Sequence, residues 1–347
     1  MHSLVGASSM ASLFRIGQIL KGRLGKYTVT TEIQDTVWFA KNQLHENVVI
    51  KSVRDHPRVE NERDVLKRFQ HRTPHLRPLI DEIEEPSQPT TVVLKYLDSD
   101  LWQTAQSERK QLNRKELKHV SRAILEALRV LHESGYVHTD VKPSNVFVDL
   151  REGDVRFGEV QLGDLGGCCS VDSWYATTGA FAGTTVYSSP EAIMNMRWNT
   201  ASDIWSFGVL LIGLIYGGNL QIFHPTEPDP NHEEYRVEVL KEQLRFFFPF
   251  PEKFKEITSP DTVRSILYLM QQVPAYTPFS RTTDTEISRV DRDFVCKIMK
   301  LDWRDRPTVK ELLEDEWWNV DEEPVLLLHP KSFPVDQPQH TEVQQVV

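Results

Sequence analysis

The run VHTDVKPSNVFVD, residues 137 to 149, brings three chemically different polar groups close together: Asp140, Lys142 and Asn145. A carboxylate can accept or orient a hydroxyl proton, an ammonium can stand against transferring negative charge, and an amide oxygen is a neutral ligand for magnesium. Those are the three demands of a phosphoryl transfer to a hydroxyl. Each residue taken singly has a plainer explanation. A loop Asp or Asn is usually a turn residue, and a strand Lys usually a solvated edge charge. Asp164 lies in GDLGG, nineteen residues beyond Asn145, and Lys51 in VVIK.

The run resembles the protein-kinase catalytic loop H-R-D-x-K-x-x-N, with His138, Asp140, Lys142 and Asn145 at the matching positions. The resemblance implies that Asp140, Lys142 and Asn145 are catalytic, with Asn145 also a magnesium ligand and His138 structural. Asp164 matches the aspartate of D-F-G, the second metal ligand, and Leu165 replaces the Phe as an apolar packing residue. Lys51 matches the lysine that neutralises the α- and β-phosphates. Its partner is expected to be Glu62, because N-E-R-D-V-L on a helix turns Glu62 to the cleft and Val65 and Leu66 to the core; Glu60 is the alternative. The other implied nucleotide contacts are Val37 and Val49 at the base, Leu94 behind it, Leu97 in a hinge formed by residues 95–97, and Asp100 at the ribose.

Downstream, GTTVYSSPE resembles the end of an activation segment, with Glu191 expected to clamp onto Arg306, while Asp203 in SDIWSFG matches an aspartate that braces the catalytic loop. Lys142 and the G-T-x-x-Y setting of Thr184 resemble serine/threonine kinases. The stretches YLDSDLW, GDLGGC and FFFPFPEKF are similar to the group of cyclin-dependent, MAP and SR-protein kinases. The implied substrates and cofactors are ATP, Mg2+ and a protein bearing a Ser or Thr hydroxyl.

Two departures matter. Where the family has a glycine-rich loop over the phosphates, this chain reads TTEIQDTVW, without glycine and several residues short. Weakened ATP binding follows as an expectation, and with it an alternative in which the chain is a pseudokinase scaffold; a small-molecule kinase is a further alternative. Thr139 stands where many kinases carry an arginine that reads a phosphorylated activation segment, so activity independent of such phosphorylation is expected.

The elements that must position these residues follow from periodicity. YTVTTEI, TVWFA and NVVIKSV read as three strands of a meander, VENERDVLKRF as one helix, and residues 79–83 and 91–96 as two more strands. After Leu101 the pattern turns helical, led by RKELKHVSRAILEALRVLHESG with an apolar face and a terminal Gly135. The resemblance implies an α+β, bilobal protein-kinase-like fold: a small, mainly antiparallel β lobe with one helix, and a larger, mainly helical lobe. The expected divisions are an N-terminal extension over 1–26, an N-lobe over 27–97, a C-lobe over 98–320 and a flexible tail over 321–347.

Composition narrows the partners. Forty basic and fifty acidic residues give a net charge of −10, which disfavours nucleic acid as a ligand. The charge-free run 204–223 is interrupted by Ser206, Asn219 and Gln221 and reads as a buried helix rather than a membrane span. Three cysteines without ligand or disulfide spacing fit a reducing compartment, cytoplasm or nucleus. The basic, serine-bearing start leaves a mitochondrial presequence as the alternative. Oligomeric state has no signature in the sequence.

Overall fold

The computed structural model describes residues 12–108, 111–218, 220–273 and 276–321. Most of the stretch expected as a C-terminal tail lies outside these residues, as do residues 1–11 of the expected N-terminal extension.

The first lobe is a closed sheet of six strands: β1 (Ile19–Gly22), β2 (Lys26–Gln34), β3 (Val37–Lys41), β4 (Asn47–Ser52), β5 (Leu79–Glu85) and β6 (Thr91–Lys95), with helix α1 (Arg58–Phe69) between β4 and β5. The neighbour order is β1-β2-β3-β4-β6-β5, and β1 pairs with both β2 and β5 to close it. Strand β1 falls within the expected extension. Its sequence, ILKG, is too short for alternation to announce a strand, and only pairing on both sides gives its backbone partners. The closure is sealed by buried Asp81, whose carboxylate accepts the N–H groups of Arg23 and Leu24 and the Tyr27 hydroxyl. A Cβ at Gly22 would run into the Asp81 carboxylate and displace the group that seals the closure.

Period-two alternation splits the lobe into two apolar faces. Leu20, Val29, Trp38, Val48, Ile50 and Val93 pack together inside the closed sheet. Their neighbours Val49, Val92 and Leu94 point the other way and join a core shared with α1 and the second lobe. The cleft wall is therefore continuous with the main core.

In the second lobe a short strand β7 (Ser99–Asp100) precedes α2 (Leu101–Glu108) and the long α3 (Arg114–His132). Helix α3 starts with a reciprocal capping box between Asn113 and Glu116 and buries Leu117, Val120, Ile124, Leu128 and Leu131 completely. The helix ends at His132 with Glu133 as its cap, and Gly135, at φ +69°, turns the chain just beyond. Strands β8 (Tyr136–Val137), β9 (Val146–Leu150), β10 (Phe157–Leu162) and β11 (Cys169–Ser170) join β7 in two small sheets, one in the order β10-β9-β7 and one pairing β8 with β11. Helices α4 (Trp174–Thr178), α5 (Pro190–Ile193), α6 (Ala201–Tyr216), α7 (Tyr235–Phe247), α8 (Pro260–Gln272), α9 (Arg289–Ile298) and α10 (Val309–Leu313) complete it. The charge-free run overlaps all but the first three residues of α6, a helix buried on nearly every side, and continues past its end. No helix of the described residues is long and apolar enough to cross a membrane.

Candidate active site

Two strand-to-loop transitions and one helix deliver the site. Lys51 lies on β4, where Val49 and Ile50 pin the strand by burial on opposite faces. On α1, Glu62 is buried with Val59, Val65, Leu66 and Phe69, which fixes the rotation of the helix. The Lys51 Nζ is 2.8 Å from Glu62 Oε2 and 2.6 Å from Asp164 Oδ1, and Arg58 at the start of α1 is 3.5 Å from Asp164 Oδ2. The Leu165 N–H donates to Glu62 Oε1 at 3.3 Å, so the same glutamate also holds the backbone beside the metal-type aspartate. Glu60, the alternative partner, accepts a bond from Thr90 at the surface instead.

Burial lowers the Lys51 ammonium pKa, but Asp164 and Glu62 outweigh it and leave the group above the usual lysine value. Burial likewise raises Asp164, and the Lys51 and Arg58 cations more than reverse this, holding its carboxyl well below the usual carboxylate range. The carboxylate is thus kept ionised, as a hard-cation ligand must be.

The catalytic-loop residues form a second cluster. Asp140 Oδ1 accepts the Thr184 hydroxyl at 2.8 Å, and Lys142 Nζ reaches Thr184 Oγ1 at 2.9 Å and Asp140 Oδ2 at 3.3 Å. The Asn145 amide N–H donates to the Asp140 carbonyl at 2.8 Å and to Asp140 Oδ2 at 3.1 Å. Its other amide atom, Oδ1, is left without a hydrogen bond among the described residues. The Gly163 N–H donates to the Asn145 carbonyl at 2.9 Å, setting Asn145 beside the backbone that carries Asp164.

Asp203 braces this loop from the first turn of α6, accepting the His138 and Thr139 N–H groups at 2.8 and 2.9 Å and contacting His132 Nε2 at 2.8 Å. His138 is fully buried, with Nε2 on the Gly163 carbonyl and Nδ1 receiving the Asp140 N–H. That pattern fits the Nε2–H tautomer and a structural role. Thr139 sits at φ +76°, a strained place for a β-branched residue that costs about 1–3 kcal/mol. Asp203 and a hydrogen bond from the Thr139 hydroxyl to the Gly167 carbonyl hold it there.

The expected clamp forms: Arg306 and Glu191 make two 2.7 Å bonds with both side chains fully buried. Around the base site, Val49 and Leu94 face each other across β4 and β6, Val37 pairs with Lys51, and Leu97 is buried just past β6. Asp100, expected at the ribose, is buried, and its Oδ1 accepts the Gln103 N–H to cap the first turn of α2. The glycine-free TTEIQDTVW segment is a tight hairpin: Gln34 pairs with Val37, with Asp35 and Thr36 as the turn.

Three residues of the cleft escaped the sequence reading. Arg58 joins the Asp164 cluster, Phe39 meets Tyr96 of the hinge edge-on at 5.4 Å between ring centroids, and Arg77 lies buried between hinge and β9. A charge among apolar residues in HLRPLI was the one available sign for Arg77, and it reads equally as an exposed strand residue.

The protein kinase domain model matches residues 15–318. The serine/threonine-protein kinase US3 of Human herpesvirus 1 is 28% identical over 73% of this chain and 51% of its own length. The calcium/calmodulin-dependent protein kinase type 1 of Macrobrachium nipponense is 26% identical over 60% of this chain and 56% of its own length. The chain thus spans about half the length of these curated relatives. A crystal structure of the yeast RNA Pol II CTD kinase CTDK-1 complex shares the fold, with a TM-score of 0.67 over 94% of this chain and all of that one, at 20% identity. The ordered run of motifs, their assembly around Lys51 and Asp140, and a family model spanning most of the residues converge: the chain belongs to the protein kinase domain family.

Proposed function

We propose that the chain is a serine/threonine protein kinase that moves the γ-phosphoryl group of ATP to a protein hydroxyl. The observation that carries this is Lys51, which bridges Glu62 and Asp164 and so joins β4, α1 and the metal-type aspartate in one charge network. Three charges this close at a cleft, with Glu62 fully buried and Lys51 and Asp164 partly so, are costly to maintain for structure alone.

The residues fit magnesium. Asp164 is held ionised, and Asn145, anchored through its amide nitrogen, presents an uncommitted oxygen; two hard oxygen donors beside substrate phosphates are the usual provision for this ion. Bound there, magnesium would neutralise charge on the phosphates. Lys51 would carry the α- and β-phosphates. Asp140 is placed to orient the acceptor hydroxyl and take its proton at a carboxylate oxygen, and Lys142 stands beside it to offset the moving negative charge. Thr184 ties both to the activation segment, so the acceptor platform and the catalytic loop are held together.

A second reading, a scaffold without phosphoryl transfer, is favoured by the short hairpin over the phosphates, which offers no glycine amide. Transfer of labelled γ-phosphate to a generic basic protein, compared with Asp140→Asn, separates them. Transfer lost in the variant supports the kinase; no transfer in the native chain, with ATP still raising its melting temperature, supports the scaffold. The free thiols Cys168, Cys169 and Cys296 support a cytoplasmic or nuclear location.

A further inference from the structure

The cleft contains a cation that phosphoryl transfer does not use. Arg77 is 7% exposed and lies where the chain turns from α1 into β5. Its backbone N–H bonds to the Leu162 carbonyl, one residue before Gly163, so its side chain starts beside the Asp164 backbone. From there it runs to the hinge, where Nε donates to the Lys95 carbonyl at 2.8 Å. The guanidinium carbon lies 4.0 Å over the centroid of Phe147 on β9, two residues past Asn145. A Cβ at Gly163 would lie 3.2 Å from Arg77 Cδ and 2.8 Å from the Phe147 ring, so that glycine makes the room.

Among the described residues Nη1 and Nη2 make no hydrogen bond, and neither is closed off from solvent. Burial pushes the guanidinium pKa down to about 10 although Glu62, Asp164 and Asp100 favour its charged form, and a ligand that met the two nitrogens would offset part of that cost.

We propose that Arg77 sets the base preference of the nucleotide site, turning it from adenine toward a purine with a carbonyl at C6, such as guanine. This rests on the kinase reading of the cleft. Hinges recognise the base edge through backbone groups, and the 6-amino group of adenine is a donor that needs an acceptor there. At Lys95 the N–H is committed to the Pro78 carbonyl, and the carbonyl already accepts Arg77. A guanidinium has donors only, so it opposes an approaching amine and matches an approaching carbonyl. Stacking on Phe147 fixes its plane, and burial strengthens both the match and the mismatch.

The test is to measure the affinities of ATP and GTP by titration calorimetry, and transfer rates with each, for the native chain, Arg77→Leu and Arg77→Lys. GTP is expected to bind the native chain within about tenfold of ATP or better, and Arg77→Leu to shift the ratio toward ATP by at least about tenfold. Arg77→Lys, which keeps the charge without the planar fork, should fall between them and remains informative if the leucine variant does not fold. An unchanged GTP:ATP ratio in the variants overturns the proposal. Equal strengthening of both nucleotides also overturns it, by showing that Arg77 only fills space. If no form binds either nucleotide, the kinase reading itself fails and takes this inference with it; selective use of ATP by every form sinks the inference alone.

Discussion

Replacing Arg306 by leucine would leave Glu191 as a fully buried carboxylate without its cation. The native guanidinium makes two 2.7 Å bonds to Glu191, donates to the carbonyls of Lys300 and Ala201 at 2.7 and 2.9 Å, and lies 5.0 Å over the Trp205 ring. Among the described residues only the Ser202 hydroxyl, 3.0 Å from Glu191 Oε1, would remain to solvate the carboxylate. Breaking a buried pair from one side costs about 3–5 kcal/mol, and each stranded carbonyl up to about 1–3 kcal/mol more. Against a total stability of about 5–15 kcal/mol this is a large fraction. The double variant Glu191→Leu with Arg306→Leu removes both charges and should recover most of the loss, because a buried pair is close to neutral against apolar residues of similar volume. The assay is denaturant unfolding followed by circular dichroism, with midpoints compared at equal slope. A single variant costing less than about 1 kcal/mol, or a double variant as unstable as the sum of the singles, would refute the clamp. In the folded fraction of Arg306→Leu the Michaelis constant for ATP should stay at its native value, since this pair is distant in sequence and partners from Lys51.

Asp140→Asn should lower transfer by at least about a hundredfold without changing ATP affinity, as single-turnover kinetics would show. Lys51→Ala is expected to weaken ATP binding and to destabilise the fold by leaving Glu62 and Asp164 facing each other, with Lys51→Ala plus Glu62→Gln restoring stability but not binding; thermal unfolding with and without ATP reads both. Asp164 has a folded pKa below its unfolded value, so its contribution is present above about pH 4 and lost as pH falls below that. Melting temperature should therefore drop more steeply from pH 5 to 3 in the native chain than in Asp164→Asn. With Thr139 bound to the Gly167 carbonyl in the place of an arginine, phosphatase treatment should leave turnover unchanged; its abolition would refute that reading.

Much of the site was legible in the sequence because its chemistry is local. Asp140, Lys142 and Asn145 sit on one short loop, and their types and spacing dictate what they can do. Helical phase favoured Glu62 over the alternative Glu60 as the Lys51 partner, and the structure pairs Lys51 with Glu62. Strands β2 to β6 of the first lobe, α1 and α3 announced themselves by period two or by apolar spacing, and the charge-free run by its lack of charge.

Other features depended on partners far along the chain. Strand β1 has four residues and is a strand only because β2 and β5 flank it. The burial of Asp100 and its capping of α2 depend on where that helix begins. Arg77 shows the division most plainly. The sequence offers a lone arginine between a leucine and a proline, but whether it meets water or the hinge carbonyl depends on Lys95, Phe147 and Gly163, none closer than eighteen residues. Residue type and short-range period set what each side chain can do and which way its element faces. Only tertiary packing, through burial and the loss of water, decides which of those side chains share a site.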